Sequence, residues 1–283
     1  MSWQLLVGLS VVLYSVNGLL HRTIMKDDSS DAYAQAVIFT SLVCLFFFVV
    51  SLFRGGFQVS VSWNQLLLMI LASILSSAGM VFTFKGFKFI EASEHTILLT
   101  SYQLWFMLGA ILFLHESLTI TKLVGTIAIL FGIVLAEWKK QILKLNKGAV
   151  YVLLAALCFA GSGIISFSIV RNFDVWSYML YTGILVTLIL VICKPKVIRK
   201  FTFYFKPKRA LNIVVTSIND ALANILGLTA YQIGRNALQI GPISATQTIL
   251  TVLLAVIILK ERDHMLQKII GSLVAVAGTI LLL

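Results

Sequence analysis

Charged residues are scarce in this chain, and their scarcity excludes an ordinary soluble domain. Only 12% of its 283 residues are Asp, Glu, Lys or Arg, whereas soluble globular proteins carry about 25%. Hydrophobic residues make up 59%, and the mean hydropathy is +0.99. Apolar runs near the roughly 20 residues that a bilayer-spanning helix needs cover almost the whole chain. Because these runs are continuous rather than alternating, an outer-membrane barrel is excluded too, and we expect an all-α integral membrane protein.

Cysteines and enzyme signatures are equally sparse. The three cysteines, Cys44, Cys158 and Cys193, lie in or beside apolar runs and lack metal-ligand spacing, so no disulfide framework is expected. The four histidines are dispersed, and the motifs HExxH, GxSxG and GxxxxGK[ST] do not occur. We therefore expect no enzyme activity, no cofactor, no metal site and no ATP-driven pumping.

Acidic residues are half as numerous as basic ones, 11 against 22. In a soluble protein this excess would suggest nucleic acid, but no nucleic-acid motif accompanies it. The basic residues fall in the loops after alternate apolar runs, with four exceptions: Arg54, Lys122, Arg171 and Arg235. By the positive-inside rule these loops face the cytoplasm, which puts both termini on the non-cytoplasmic side of the cell membrane. The expected partners are the bilayer and a small-molecule solute, with the chain acting as a monomer or homodimer.

Ten apolar runs are long enough to be transmembrane helices. The first five lie at about residues 3–20, 33–53, 65–84, 94–114 and 121–138. The second five lie at about residues 148–170, 174–193, 210–231, 240–259 and 266–283. A basic linker, 141–147, parts a first repeat, 1–140, from a second, 148–283. Because five is an odd number, the two five-helix repeats must be inverted relative to each other.

Two stretches of the chain carry the same pattern, residues 84–137 and 229–283. They align on Glu116 and Glu261, which are 145 residues apart. Each has an apolar helix, a short polar segment and a second apolar helix, as repeat-built transporters do. Each glutamate comes shortly before an apolar helix, so we expect the two to supply first-turn negative charge to spans five and ten.

Span eight contains polar residues that are costly inside hydrocarbon. Asp220, Asn224 and Tyr231 lie at i, i+4 and i+11 on one helical face, and Asn219 lies beside them. Asp220 is near the middle of the span, so its carboxyl must face protein or a water-filled cavity. Three roles are open to Asp220: a proton carrier, a contact for the cationic group of a solute, and a neutral carboxyl held by hydrogen bonds between helices.

Three other spans supply candidates for the same site. They are Tyr14 and Asn17 of span one, on a face shared with Ser10 and His21, then Tyr102, Gln103 and Trp105 of span four, and Gln247 of span nine. The aromatic pair of span four could stack on a planar or cationic solute, or could fill the core. Glu94 and His95 open span four, where a carboxylate beside an imidazole can relay protons. Glu94 could equally cap the helix N-terminus.

The ends of the two repeats read FLHESLTITKLVGTIAILFGIVL and IILKERDHMLQKIIGSLVAVAGTILL. With their L-x-E ends and Gly-bearing final helices, they resemble the drug/metabolite transporter superfamily, EamA type, and the resemblance extends over the whole chain. It implies ten helices in two inverted halves, with a binding cavity formed by spans one, three, four, six, eight and nine. We expect Asp220 and Gln247 of one half to face Tyr102 and Trp105 of the other there.

The resemblance also implies a function. The chain is expected to be a secondary transporter that exports a small polar organic metabolite, such as an amino acid, by alternating access. Proton coupling through Asp220, Glu94 or His95 is a further hypothesis. A lipid-linked substrate flippase, a nucleotide-sugar-like exchanger and a non-transporting membrane scaffold stay open as alternatives.

Overall fold

The computed structural model describes residues 2–25, 30–90, 95, 98–137, 146–258 and 265–282. This part of the chain is helical and contains no strand, which confirms the expected all-α class. The N-terminal half contains α1 (Trp3–Met25), α2 (Ala32–Phe53), α3 (Trp63–Phe89), α4 (Tyr102–Leu114) and α5 (Ile120–Glu137). The C-terminal half contains α6 (Lys147–Val170), α7 (Val175–Cys193), a 3-10 helix (Pro195–Phe203), α8 (Pro207–Gly234), α9 (Ala237–Ala245), α10 (Gln247–Ile258) and α11 (Met265–Leu282).

Five of these helices are long and apolar enough to cross a membrane: α2, α3, α6, α7 and α8. Shorter apolar helices lie in α1, α4, α5 and α11. Leucines, isoleucines and phenylalanines remain exposed along their outer faces, among them Leu52, Phe113 and Leu188. Exposed apolar surface of this extent is what a lipid environment covers.

Four of the helices have a short polar residue as their N-cap. Asp31 accepts hydrogen bonds from the backbone N–H groups that open α2, and Ser62 forms a reciprocal capping box with Gln65 at the start of α3. Asn146 and Asp174 cap α6 and α7 in the same way. Because the first N–H groups of a helix have no partner within it, these side chains fix where each helix begins.

The ninth apolar run, expected at 240–259, is two helices rather than one. A turn at Thr246 parts α9 from α10, so the described residues contain eleven α-helices instead of the ten expected. Pro242 inside α9 has no N–H to donate. Four residues later the Thr246 N–H and hydroxyl both bond to the Ile243 carbonyl, which tightens the last turn.

The helices pair across the two halves of the sequence. In four pairs, one helix from residues 2–137 packs against one from residues 146–282: α1 on α8, α2 on α7, α3 on α6, and α5 on α11. Much of the helix packing therefore lies between the two halves.

Glu116 does not provide first-turn charge to α5, contrary to the sequence-based expectation. It lies in the connection between α4 and α5, where His115 has the left-handed φ of +54°. Its carboxylate accepts hydrogen bonds from the backbone N–H groups of Ala237 at 2.7 Å and Leu238 at 2.9 Å. Glu116 thus caps α9, a helix of the other half, and Glu261 lies outside the described residues.

Candidate functional site

Two amide side chains bond to the carboxyl group of Asp220 where α1 meets α8, and a third holds one of them in place. Asn17 Nδ2 donates to Asp220 Oδ1 at 3.3 Å, and Asn224 Nδ2 donates to Asp220 Oδ2 at 2.8 Å. Asn219 Nδ2 donates to Asn17 Oδ1 at 2.8 Å and to the Leu13 carbonyl at 2.6 Å. Each oxygen of the carboxyl is therefore bonded to an amide, and within the described residues no lysine or arginine forms an ion pair with it.

Small and hydroxylated residues let α1 approach its neighbours at this level. Ser10 Oγ donates to the Ala223 carbonyl of α8 at 2.8 Å, and Gly227 leaves space beside the same hydroxyl. On the other side of α1, Thr251 Oγ1 of α10 donates to the Ser15 carbonyl at 3.0 Å. Close backbone approach through small residues is the usual way membrane helices associate. It fixes Asn17 opposite Asp220.

Two tyrosines from the other half of the sequence complete the site. Tyr14 of α1 lies near Asp220 and near Tyr102 of α4. The Tyr102 ring stacks on Phe106 at 5.4 Å between centroids, and its hydroxyl lies against Gly163 of α6. The structure therefore brings Tyr14, Asn17, Tyr102, Asp220 and Asn224 into one region, contributed by α1, α4 and α8.

Two glutamines lie in the first turns of α4 and α10. Gln103, only 6% exposed, lies in the first turn of α4, and its Oε1 faces Gly241 of α9. Gln247 opens α10 beside the turn at Thr246. Neither Oε1 has a hydrogen-bond partner among the described residues. Buried amides in this state are available to bond a solute or water.

Two of the expected site residues lie elsewhere. Trp105 is 46% exposed and shares its face of α4 with the exposed Leu104 and Leu108, so it lies on the outer face of the helix. Tyr231 is buried and stacks on Phe167 at 4.0 Å. It is close to Glu116, Arg171 and Arg235, at the opposite end of α8 from Pro207.

His95 lies apart from Asp220 in sequence and contacts a different set of side chains, and Glu94 lies outside the described residues. The His95 ring is buried and stacks on Phe87 of α3 at 3.7 Å. His95 also donates to the backbone of Thr83. The described residues contain no group of three or more His, Cys, Asp or Glu side chains that could hold a metal ion.

Asn219 is the site residue that was not selected from the sequence. It bonds to Asn17 and thereby holds the amide that contacts Asp220. The signal was present, because a third polar side chain within six residues of an apolar span is costly without a partner. Its partner on α1, more than 200 residues away in the chain, was not visible in the sequence.

Comparison with known proteins agrees with this architecture. The model of the EamA-like transporter family matches residues 1–138 and 146–283. No curated protein sequence gives a significant match. One similar crystal structure has a TM-score of 0.76, with 99% of this chain and 95% of the other covered at 15% sequence identity. At that identity the likeness shows the fold alone.

Proposed function

Because the chain belongs to the EamA-like transporter family, we propose that it is a secondary transporter that moves a small polar organic solute across the cytoplasmic membrane by alternating access. The family match confirms the resemblance to the drug/metabolite transporter superfamily and fits a multi-pass membrane protein. The observation that carries the proposal is the Asp220 carboxyl, held by Asn17 and Asn224 inside an otherwise apolar bundle.

The helix pairing supports two inverted repeats of five spans, 1–140 and 148–283. If the two halves are exchanged, the α1–α8 pair becomes the α6–α3 pair. The α2–α7 and α5–α11 pairs stay the same, because in each of them one helix takes the place of the other. A pseudo-two-fold axis in the membrane plane produces this pattern. With the basic loops in the cytoplasm, both termini lie outside.

The chemistry of the site favours a solute with an amino group. Asp220 supplies negative charge, Tyr14 and Tyr102 supply hydroxyls and ring faces, and the glutamines supply amides. An ammonium group can pair with the carboxylate and lie against an aromatic ring. An amino acid or a related metabolite fits these groups, and the family resemblance favours export. Trp105 and Tyr231 are left out of the site, because the first lies on the exposed face of α4 and the second lies near the C-terminal end of α8.

The same carboxyl suits proton coupling. Asp220 can hold either the ammonium group of the solute or a proton, but not both, so one must leave before the other binds. Exchange of the two across the membrane is antiport. Because a buried carboxyl without a cation is costly, the empty site favours the protonated form.

Transport into proteoliposomes tests the proposal. Purified protein is reconstituted with an imposed pH gradient, and uptake of labelled amino acids is measured for the wild type and for Asp220→Asn. We expect the wild type to accumulate at least one of them and the variant to lose dependence on the gradient. Asp174→Asn is the matched control, because Asn caps a helix about as well as Asp.

Two results would contradict the proposal. An unchanged pH profile in Asp220→Asn removes this carboxyl from coupling. Failure of the wild type to move amino acids, lipid-linked sugars and nucleotide sugars alike would favour a scaffold over any transporter.

A further inference from the structure

Two histidines, the partly buried His21 and the buried His95, lie together at the end of the bundle marked by Lys85, Lys88 and Lys200, here called the basic end. The His21 ring, on α1, makes edge-on contacts with Phe39 at 5.0 Å and Phe84 at 5.3 Å. The His95 ring lies flat on Phe87. Phe84 and Phe87 are one turn apart on α3, so the two imidazoles are neighbours.

Polar atoms around this pair are buried without partners. His21 Nδ1, His95 Nε2 and Thr83 Oγ1 have none among the described residues. Neither amide atom of Gln35 has one, although that side chain is fully buried one turn before Phe39. Buried polar groups in proteins are normally bonded to protein or to water, so these atoms can take part in hydrogen bonds with water. Because His95 donates to the Thr83 backbone, its Nε2 is the nitrogen left to accept a proton.

The histidine pair is connected to Asp220 through α1. Asn17, which bonds to Asp220, and His21 are four residues apart and share one face of the helix. The separation along the axis is about 6 Å. A line of polar groups therefore leads from the carboxyl in the middle of α8 to His21 and on to His95.

Charged groups on the surrounding helices have partners of their own. On α3, Lys88 donates to the Ser30 carbonyl, and Lys85 lies over the Tyr151 ring of α6. On α2, Asp31 pairs with Lys200 and Lys194. Among the described residues, the other titratable groups near the line are Tyr14 on α1 and Asp220 itself on α8. Lys26, Glu91 and Glu94 lie outside the described residues.

We propose that His21 and His95 form a proton-binding pair that receives the proton leaving Asp220 and releases it at the basic end of the bundle. Asp220 changes from carboxylic acid to carboxylate, and His21 changes from imidazole to imidazolium. The imidazolium then gives a proton to His95 Nε2, and His95 loses one to solvent, which restores both neutral rings. The open polar atoms can bind the water that carries the proton between these groups. The inference rests on the proposed proton-coupled transport, and Asn17 acts as a positioning residue.

Histidine NMR tests the pair without any solute. The chain has only four histidines, so ring-15N labelling in lipid nanodiscs gives four sets of signals that single substitutions assign. Strongly interacting groups titrate in shared steps. Between about pH 4 and pH 9, we expect the His21 and His95 signals each to follow two steps. Each should collapse to one step when the other residue is changed to Gln.

Asp220→Asn should alter the His21 curve. Independent single-step curves for His21 and His95, or no titration of either, would overturn the proposal. His21→Asn replaces His21→Gln if the latter does not fold.

Proteoliposomes separate failure of the pair from failure of the proposed function. We expect His21→Gln and His95→Gln to keep solute exchange without a gradient and to lose accumulation driven by the pH gradient. Full accumulation in both variants refutes the pair while transport stands. Absence of transport in the wild type refutes the proposed function, whatever the NMR result.

Discussion

Asp220 stays inside the bundle because two amides from two places in the chain reach its oxygens. Asn224, one turn along the same helix, was predictable from periodicity alone. Asn17 was a candidate from the sequence, but its contact with Asp220 depends on which helices pair, and no local pattern encodes that. Tyr102 and Trp105 could not be told apart in the sequence either. They are three residues apart on α4, yet Tyr102 is partly buried and Trp105 is exposed.

Asp31 supplies a test at the residue scale outside the spans. Partial burial raises the pKa of Asp31. The Lys200 ammonium, the Ala34 N–H and the Lys194 charge together lower it by more, so the net shift is downward. A carboxyl with a lowered pKa in the folded state stabilises the fold above its unfolded pKa, about 3.9. That stabilisation is lost as the pH falls through the folded pKa.

We therefore expect wild-type protein to be more stable than Asp31→Asn at neutral pH, with the difference shrinking to near zero under acid conditions. The wild type and Asp31→Asn both keep a capping side chain on α2, so their difference in stability reports the charge alone. Denaturant unfolding in detergent at a series of pH values measures it. A difference that does not change with pH would contradict the assignment.

At the element scale, the helix starts and the apolar runs were visible in the sequence, whereas the breaks between helices were not. Hydropathy cannot distinguish one span from two half-helices, so the turn at Thr246 inside the ninth run was missed. The contact of Glu116 with α9 was missed because the α4–α5 connection and the start of α9 come together only when the two halves pack.

Glu116→Ala should destabilise the protein, because it leaves two N–H groups at the start of α9 without their partner. Loss of a helix cap costs about 0.5–2 kcal/mol. We expect the melting temperature to fall by several degrees in detergent, and Ser117→Ala, at an exposed neighbouring position, to leave it unchanged. Equal melting temperatures for the two variants would show that the contact contributes nothing.

The contact between α5 and α11 depends on glycine. A Cβ at Gly132 would lie 2.5 Å from the Gly271 carbonyl and 2.6 Å from the Ala275 nitrogen, both backbone atoms. Gly132→Ala should therefore force the helices apart and cost about 1–3 kcal/mol. Gly8→Ala is the control, because nothing lies within 4 Å of its added carbon. Unfolding curves in which both variants match the wild type would contradict this packing.

At the scale of the whole molecule, composition alone predicted the membrane class and the helical fold. The sequence repeat pointed to the family, and the family match agrees. The pairing of helices across the two halves could not be predicted in the same way, because apolar faces in lipid carry little information about their partners. Yet that pairing places Tyr14 from one half beside Asp220 from the other.

The central claim, a solute site between the halves that opens to each side in turn, predicts the behaviour of a single cysteine at Asn224. With Cys44, Cys158 and Cys193 replaced by Ser, Asn224→Cys is treated with a membrane-impermeant thiol reagent from inside or outside sealed vesicles. We expect labelling from both sides, slowed by the transported solute. Labelling from neither side, or at a rate that no transported solute changes, would contradict the claim.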